Sequence, residues 1–190
     1  VILNYLREIV RDIYKDSYLE ERIVDLKFQI DYGIELFGIV HHPQYGKMYA
    51  YETDGYGNHV LMDDANVPSL LSVPYLGFTD YQDEVYQNTR QFVLSHENPY
   101  YYEGTRAKGI GSPHTWPQYI WPIALSMQGL TSQNENEMKE LIDMIMNNTG
   151  GTGVCHESFD VNDDSKYTRP WFCWANSLFA ELVLKAYFKM

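Results

Sequence analysis

Ile2, Leu6, Ile9 and Ile13 recur every three or four residues, and Leu19, Ile23, Leu26, Ile30, Ile34 and Phe37 repeat the pattern. Side chains at that spacing share one face of an α-helix, whereas a strand would alternate them. The spacing therefore predicts helices over residues 1–14 and 18–37, with Asp16 or Ser17 as the cap of the second and Gly38 just past its end. Further helices are expected from near Pro68 to Pro74 and Gly77, over "YQDEVYQNTRQFVLS" with Val85, Phe92 and Val93 inward, near 116–130 and 134–148, and from about Trp171 to Phe188. Only "GKMYAYETDGYGNHVLM" alternates, and its Asp54-Gly55 marks a short hairpin near residues 48–62. The predicted class is all-α, with helix pairs joined by long polar loops such as that over 96–115. Loops of that length in a compact domain usually carry function.

No low-complexity linker or charge block divides the 190 residues, so residues 1–190 read as a single domain. The net charge of -12 repels phosphate backbones and argues against nucleic acid as a partner. No apolar run approaches the ~20 residues that cross a bilayer, so no membrane partner is expected. The opening "VILNYLREIVRDIY" has charges inside a helical pattern and does not read as a signal peptide, which favours a cytoplasmic location. It also lacks an initiator Met, as a piece of a longer chain would. Cys155 and Cys173 have neither metal-ligand nor redox spacing and read as two buried thiols.

Seventeen tyrosines and four tryptophans are unusual. Aromatic faces fill cores, and they also stack on the C–H face of a sugar ring. Both uses stay open for Trp171 and Trp174, which at spacing three share a helix face between Arg169 and Asn176. Glu157 follows the permissive glycine loop "NNTGGTGVC" and fits either a solvated loop carboxylate or a general base. Asp63, Asp64 and Asn66 precede an apolar segment, where capping needs only one of them; carboxylates also accept sugar hydroxyls in pairs. "GIGSPHT" offers Ser112 and His114 in a tight loop, without a legible nucleophile triad. Asp160, Asn162, Asp163 and Asp164 have some of the oxygen density calcium prefers, but not the glycine or terminal glutamate of an EF-hand loop, and no metal ligands are assigned.

Taken together, "YAYETDGYGNHVLMDDANVPSLLSVPYLG", "NTRQFVLSHENPYYYEG", "GIGSPHTW…IWP", "HESF" and "TRPWFCWANSLFAEL" resemble glycoside hydrolase family 125. Several long motifs fall in the same order, from about residue 30 to the end. The resemblance implies part of an (α/α)6 barrel and an inverting exo-α-1,6-mannosidase that uses neither metal nor cofactor. Its partner would be a mannose-containing oligosaccharide or N-glycan fragment. By position in its motif, Glu157 resembles the general base, and Asp63 and Asp64 match a substrate-site segment. Asn66, Ser112, His114, Arg169, Trp171 and Trp174 join them as substrate-binding candidates. The family's general acid lies in an upstream aspartate motif that this chain does not contain, and seven helices are too few for a twelve-helix toroid. The chain thus reads as the C-terminal half of the catalytic barrel, with apolar side chains expected on the flank facing the missing N-terminal half. The alternatives are another α/α-barrel carbohydrate enzyme and a non-catalytic sugar-binding remnant.

Overall fold

The computed structural model describes residues 1–188, and helices dominate it. Helix α1 (Ile2–Ile9) runs on as a π-helical turn (Val10–Tyr14) that ends at Lys15 in the left-handed region. Helix α2 (Ser17–Gly33) starts where Asp16 accepts a hydrogen bond from the Leu19 N–H at 2.9 Å, and it too ends in a π-helical stretch, Ile34–Gly38. Helices α3 (Glu84–Val93), α4 (Pro122–Leu130), α5 (Glu135–Met146) and α6 (Cys173–Phe188) follow. Asp83 caps α3 and Asn134 caps α5, satisfying N–H groups that the first turn leaves free. Pro122 opens α4, where its missing N–H costs nothing.

The core is built around α4. Pro122 through Met127, with Gly129 and Leu130, are all buried, so this helix is enclosed on nearly every side. It lies against α5 and α6. Gly129 makes the second contact possible, because a Cβ there would come within 2.5 Å of the Leu182 side chain. Phe92 and Val93 of α3 join the same core, together with Ile120, Trp121 and Phe159.

The apolar faces of α1 and α2 are largely open. Ile2 and Ile13 are 80% and 72% exposed, Leu26 and Ile30 are exposed as well, and only Val10 and Ile23 on these two helices are buried. The periodicity gave the helices correctly but not what covers them.

The chain also makes more strand than the single hairpin expected. Strands β1 (Ile39–His42) and β2 (Gly46–Tyr49) form one antiparallel pair, and β3 (Glu52–Thr53) and β4 (His59–Val60) form another around Asp54 to Asn58. Strands β5 (Tyr101–Glu103) and β6 (Lys108–Ile110) pair within the segment expected to be loop. Strands β7 (Tyr119–Ile120), β8 (Ser158–Asp160) and β9 (Asp163–Thr168) make a three-stranded sheet in the order β7-β8-β9. The segment from Pro68 to Gly77 is a series of turns, not a helix. Its two prolines cannot donate backbone bonds, and Asp63 takes up the N–H groups of Leu70 and Leu71.

Gly111 bridges to Ile120 and extends this last sheet toward β6. A Cβ at Gly111 would lie 2.3 Å from the Tyr119 carbonyl oxygen and 2.8 Å from the Tyr102 ring. Neither the backbone oxygen nor the packed ring can retreat. Gly111→Ala is therefore expected to destabilise the protein by at least about 1–3 kcal/mol. A thermal melt showing an unchanged midpoint would mean that the approach is looser than described.

Candidate active site

Two groups of polar side chains lie on the connections around the β7-β8-β9 sheet. The first joins two distant loops. Asp64 Oδ1 accepts from the backbone N–H of Asn66 at 3.1 Å and from Asn66 Nδ2 at 3.0 Å. Asn66 Nδ2 also reaches Ser112 Oγ at 3.4 Å, and that hydroxyl accepts from the His114 N–H at 3.2 Å. His114 Nε2 stands 4.0 Å from Asp64 Oδ2. The Ala65 N–H donates to the Gly111 carbonyl at 3.0 Å, so the loops are held by backbone as well. Asp64 is 6% exposed and His114 side-chain exposure is 71%, which gives the group a sheltered acceptor and an open donor.

The second group is Glu157 and Arg169. Glu157 leads into β8, and its N–H donates to the Thr168 carbonyl across the sheet at 3.2 Å. Its side chain is 13% exposed, with Oε1 3.2 Å from Arg169 Nε. Arg169 sits in the left-handed region at φ 44°, a strained conformation for a residue with a Cβ. Its guanidinium lies over the Phe172 ring, 5.5 Å from the centroid. Trp171 and Trp174 flank Phe172 and stay 62% and 40% exposed. Aromatic surface therefore borders the Arg169 guanidinium that meets Glu157.

Among the described residues, no hydrogen bond or ion pair links the two groups. Packing does. Trp121 Nε1 donates to Thr115 Oγ1, next to His114, at 3.0 Å, and its ring meets Phe172 edge-on at 6.2 Å. Trp121 thus joins the two groups through the core. The largest groove described, about 630 Å³, lies elsewhere, between Ile2, Ile34, Tyr49, Leu70 and Phe78.

Asp63 needs a correction. It is fully buried, and its two carboxylate oxygens accept from Leu70 and Leu71 N–H at 2.8 and 3.0 Å. It organises the 68–77 turns and presents nothing to a ligand. Cys155 is buried as expected, with its thiol raised to about 11 by burial, but Cys173 is exposed. The acidic run is a strand turn whose side chains serve the chain itself. Asn162 accepts from Thr105 N–H, Asp163 from Ser165, and Asp164 from Gly150 N–H and Arg106.

Sequence reasoning missed Tyr51, Thr115 and Trp116. Burial first, and then the charges of Asp64 and Asp63, push the Tyr51 phenol upward, placing it beside the first cluster. Trp116 is 72% exposed two residues from His114. Its presence directly after "GSPHT" was the available signal, since a tryptophan in a polar loop has no core to fill.

A helical framework carrying carboxylates, hydroxyl-binding side chains and open tryptophans on its loops has the elements of a carbohydrate-active protein. Residues 1–184 match the family model of the metal-independent α-mannosidases, GH125. The chain belongs to that family. It is 55% identical, over 157 residues, to the meiotically up-regulated gene 157 protein of Schizosaccharomyces pombe, covering 82% of this chain and 31% of that one. A metal-independent α-mannosidase of Streptococcus pneumoniae, solved in a non-productive complex with α-1,6-mannobiose, matches with a TM-score of 0.94 and 48% identity. That match covers 97% of this chain and 44% of the bacterial one. The chain therefore spans less than half the length of either relative.

Burial raises the Asp63 carboxyl to about 7, against the pull of the N–H groups of Leu70, Leu71 and Asp64. The unfolded value is about 3.9. Between about pH 4 and pH 7 the folded state keeps a proton that the unfolded chain has released, so this group's contribution to stability falls as pH rises through that window. Asp63→Asn cannot titrate and is expected to flatten that decline in denaturant midpoints measured across it. The same slope in variant and wild type would show that folded Asp63 is ionised throughout.

Proposed function

We propose that this chain is the C-terminal half of an inverting exo-α-1,6-mannosidase, and that Glu157 is its general base. The observation that carries the reading is the Glu157 side chain, sheltered just before β8, with Oε1 3.2 Å from Arg169 Nε, whose guanidinium lies over Phe172. Holding one oxygen leaves the other to aim at a water. The disaccharide in the Streptococcus pneumoniae relative supports an α-1,6-linked mannose as substrate.

In this mechanism Glu157 removes a proton from water as the water oxygen attacks the anomeric carbon. A second carboxylic acid gives its proton to the departing glycosidic oxygen. The two carboxyl groups stand about 6.5–9.5 Å apart so that the water fits between base and sugar. The acid comes from protein outside this chain. Asp64, Asn66, Ser112 and His114 bind the hydroxyls of the terminal mannose, and Trp171 and Trp174 stack on its apolar face. Protein outside this chain also covers the apolar faces of α1 and α2. The reaction uses no metal, as the family description implies.

In the full-length protein, Glu157→Gln keeps the shape and a hydrogen bond but cannot take the proton. Turnover of α-1,6-mannobiose should fall by at least about 10²–10⁴-fold, with KM near the wild-type value. Proton NMR of the wild-type reaction should show β-mannose appearing first, and EDTA should leave the rate unchanged. Initial release of α-mannose would mean retention and would remove Glu157 from the role of base.

A further inference from the structure

His156, the residue before Glu157, is 1% exposed and clamped on all sides. Its Nδ1 lies 2.6 Å from the Pro170 carbonyl oxygen and its Nε2 2.9 Å from the Thr149 carbonyl oxygen. The ring stacks on Tyr167 with centroids 3.7 Å apart and planes 9° from parallel. A carbonyl oxygen only accepts, and a neutral imidazole has one hydrogen to give. Thr152 cannot supply the missing one, because its hydroxyl already donates to the Thr149 carbonyl at 2.7 Å and stands 3.5 Å from Nε2. Both contacts are hydrogen bonds only when both ring nitrogens carry hydrogen.

We infer that His156 is held doubly protonated and acts as a positioning residue for the Glu157–Arg169 pair. The geometry gives it a grip on both partners. Its own backbone continues directly into Glu157, and its Nδ1 fixes the carbonyl of Pro170, the residue after Arg169. That bond holds the turn in which Arg169 keeps its left-handed backbone, and with it the approach of Nε to Glu157 Oε1 at 3.2 Å. Its Nε2 ties the same unit to the glycine loop at Thr149. On β8 and β9, Asp160 accepts from the Asn162 N–H and Asp163 pairs with Lys166 at 3.3 Å. Arg106 meets Asp164 at 3.1 Å on the β9 side, and Arg169 meets Glu157 on the other. Tyr167 offers its ring face to the cation.

The catalytic consequence rests on the reading of Glu157 as base, whereas the protonation state does not. In the full-length protein labelled with ¹⁵N-histidine, the His156 ring, assigned by its loss in His156→Gln, should show two protonated nitrogens at neutral pH. A single protonated nitrogen would overturn the inference, and this measurement needs no variant to be active. His156→Gln retains one donor. It is expected to lower kcat toward α-1,6-mannobiose by about 10²-fold, the scale of a small misplacement of a reacting group, with KM little changed. His156→Ala should regain part of its kcat when imidazole is added to fill the vacated clamp. A kcat per folded molecule equal to wild type in His156→Gln would reduce His156 to a structural role and sink the proposal. Full activity in Glu157→Gln would instead remove the functional reading and leave the NMR result standing.

Discussion

Trp121 holds the candidate site to the core. Its N–H donates to the Ile110 carbonyl at 3.1 Å, at the end of β6, and its own carbonyl accepts from Ala124 and Leu125 N–H to start α4. Its indole N–H reaches Thr115 in the loop that carries Ser112 and His114, and its ring meets Phe172 at the start of α6. Its neighbour Ile120 pairs with Phe159, two residues past Glu157. Loops that are polar and exposed at their tips are therefore fixed at their roots to the most buried helix of the chain. A site built this way can keep its geometry without burying its polar groups.

Charge and strain are concentrated around one turn. Arg169 adopts a conformation that costs about 1–3 kcal/mol for a residue with a side chain. The ion pair to Glu157, the stacking on Phe172 and the hydrogen bond from His156 to the next carbonyl all act on that turn. An exposed ion pair contributes little by itself. Here the pair is half sheltered, and its value lies in orienting a carboxylate rather than in stability.

The other end of the molecule has the opposite character. The apolar faces of α1 and α2 stand open, with Phe28, Tyr32 and Leu36 exposed beside Leu26 and Ile30. Contiguous apolar surface of this kind marks an interaction site in a folded protein. The chain spans less than half of the relatives it matches, and the surface is what the proposed remainder of the enzyme would cover.

Much was legible along the chain because it depends on neighbours within a few residues. Helical spacing marked α1, α2, α3, α5 and α6, Asp16 marked a start, and Asp54-Gly55 marked the turn between β3 and β4. The motif around Glu157 gave the candidate base and its tryptophans. Other features were decided only by tertiary structure. Strands β5 to β9 are only two to six residues long, too short for a clear alternation, and β7 exists because distant segments meet, as Tyr119 pairs with Asp160. Of the two adjacent aspartates, Asp63 turned inward to cap backbone N–H groups while Asp64 joined Asn66, Ser112 and His114. Periodicity along one chain can state that a face is apolar, but what covers that face is a property of another surface. Local hydrogen bonding and side-chain spacing are written in sequence order. Pairing, burial and the meeting of Glu157 with Arg169 depend on which parts of the chain exclude water together, and only the folded molecule decides that.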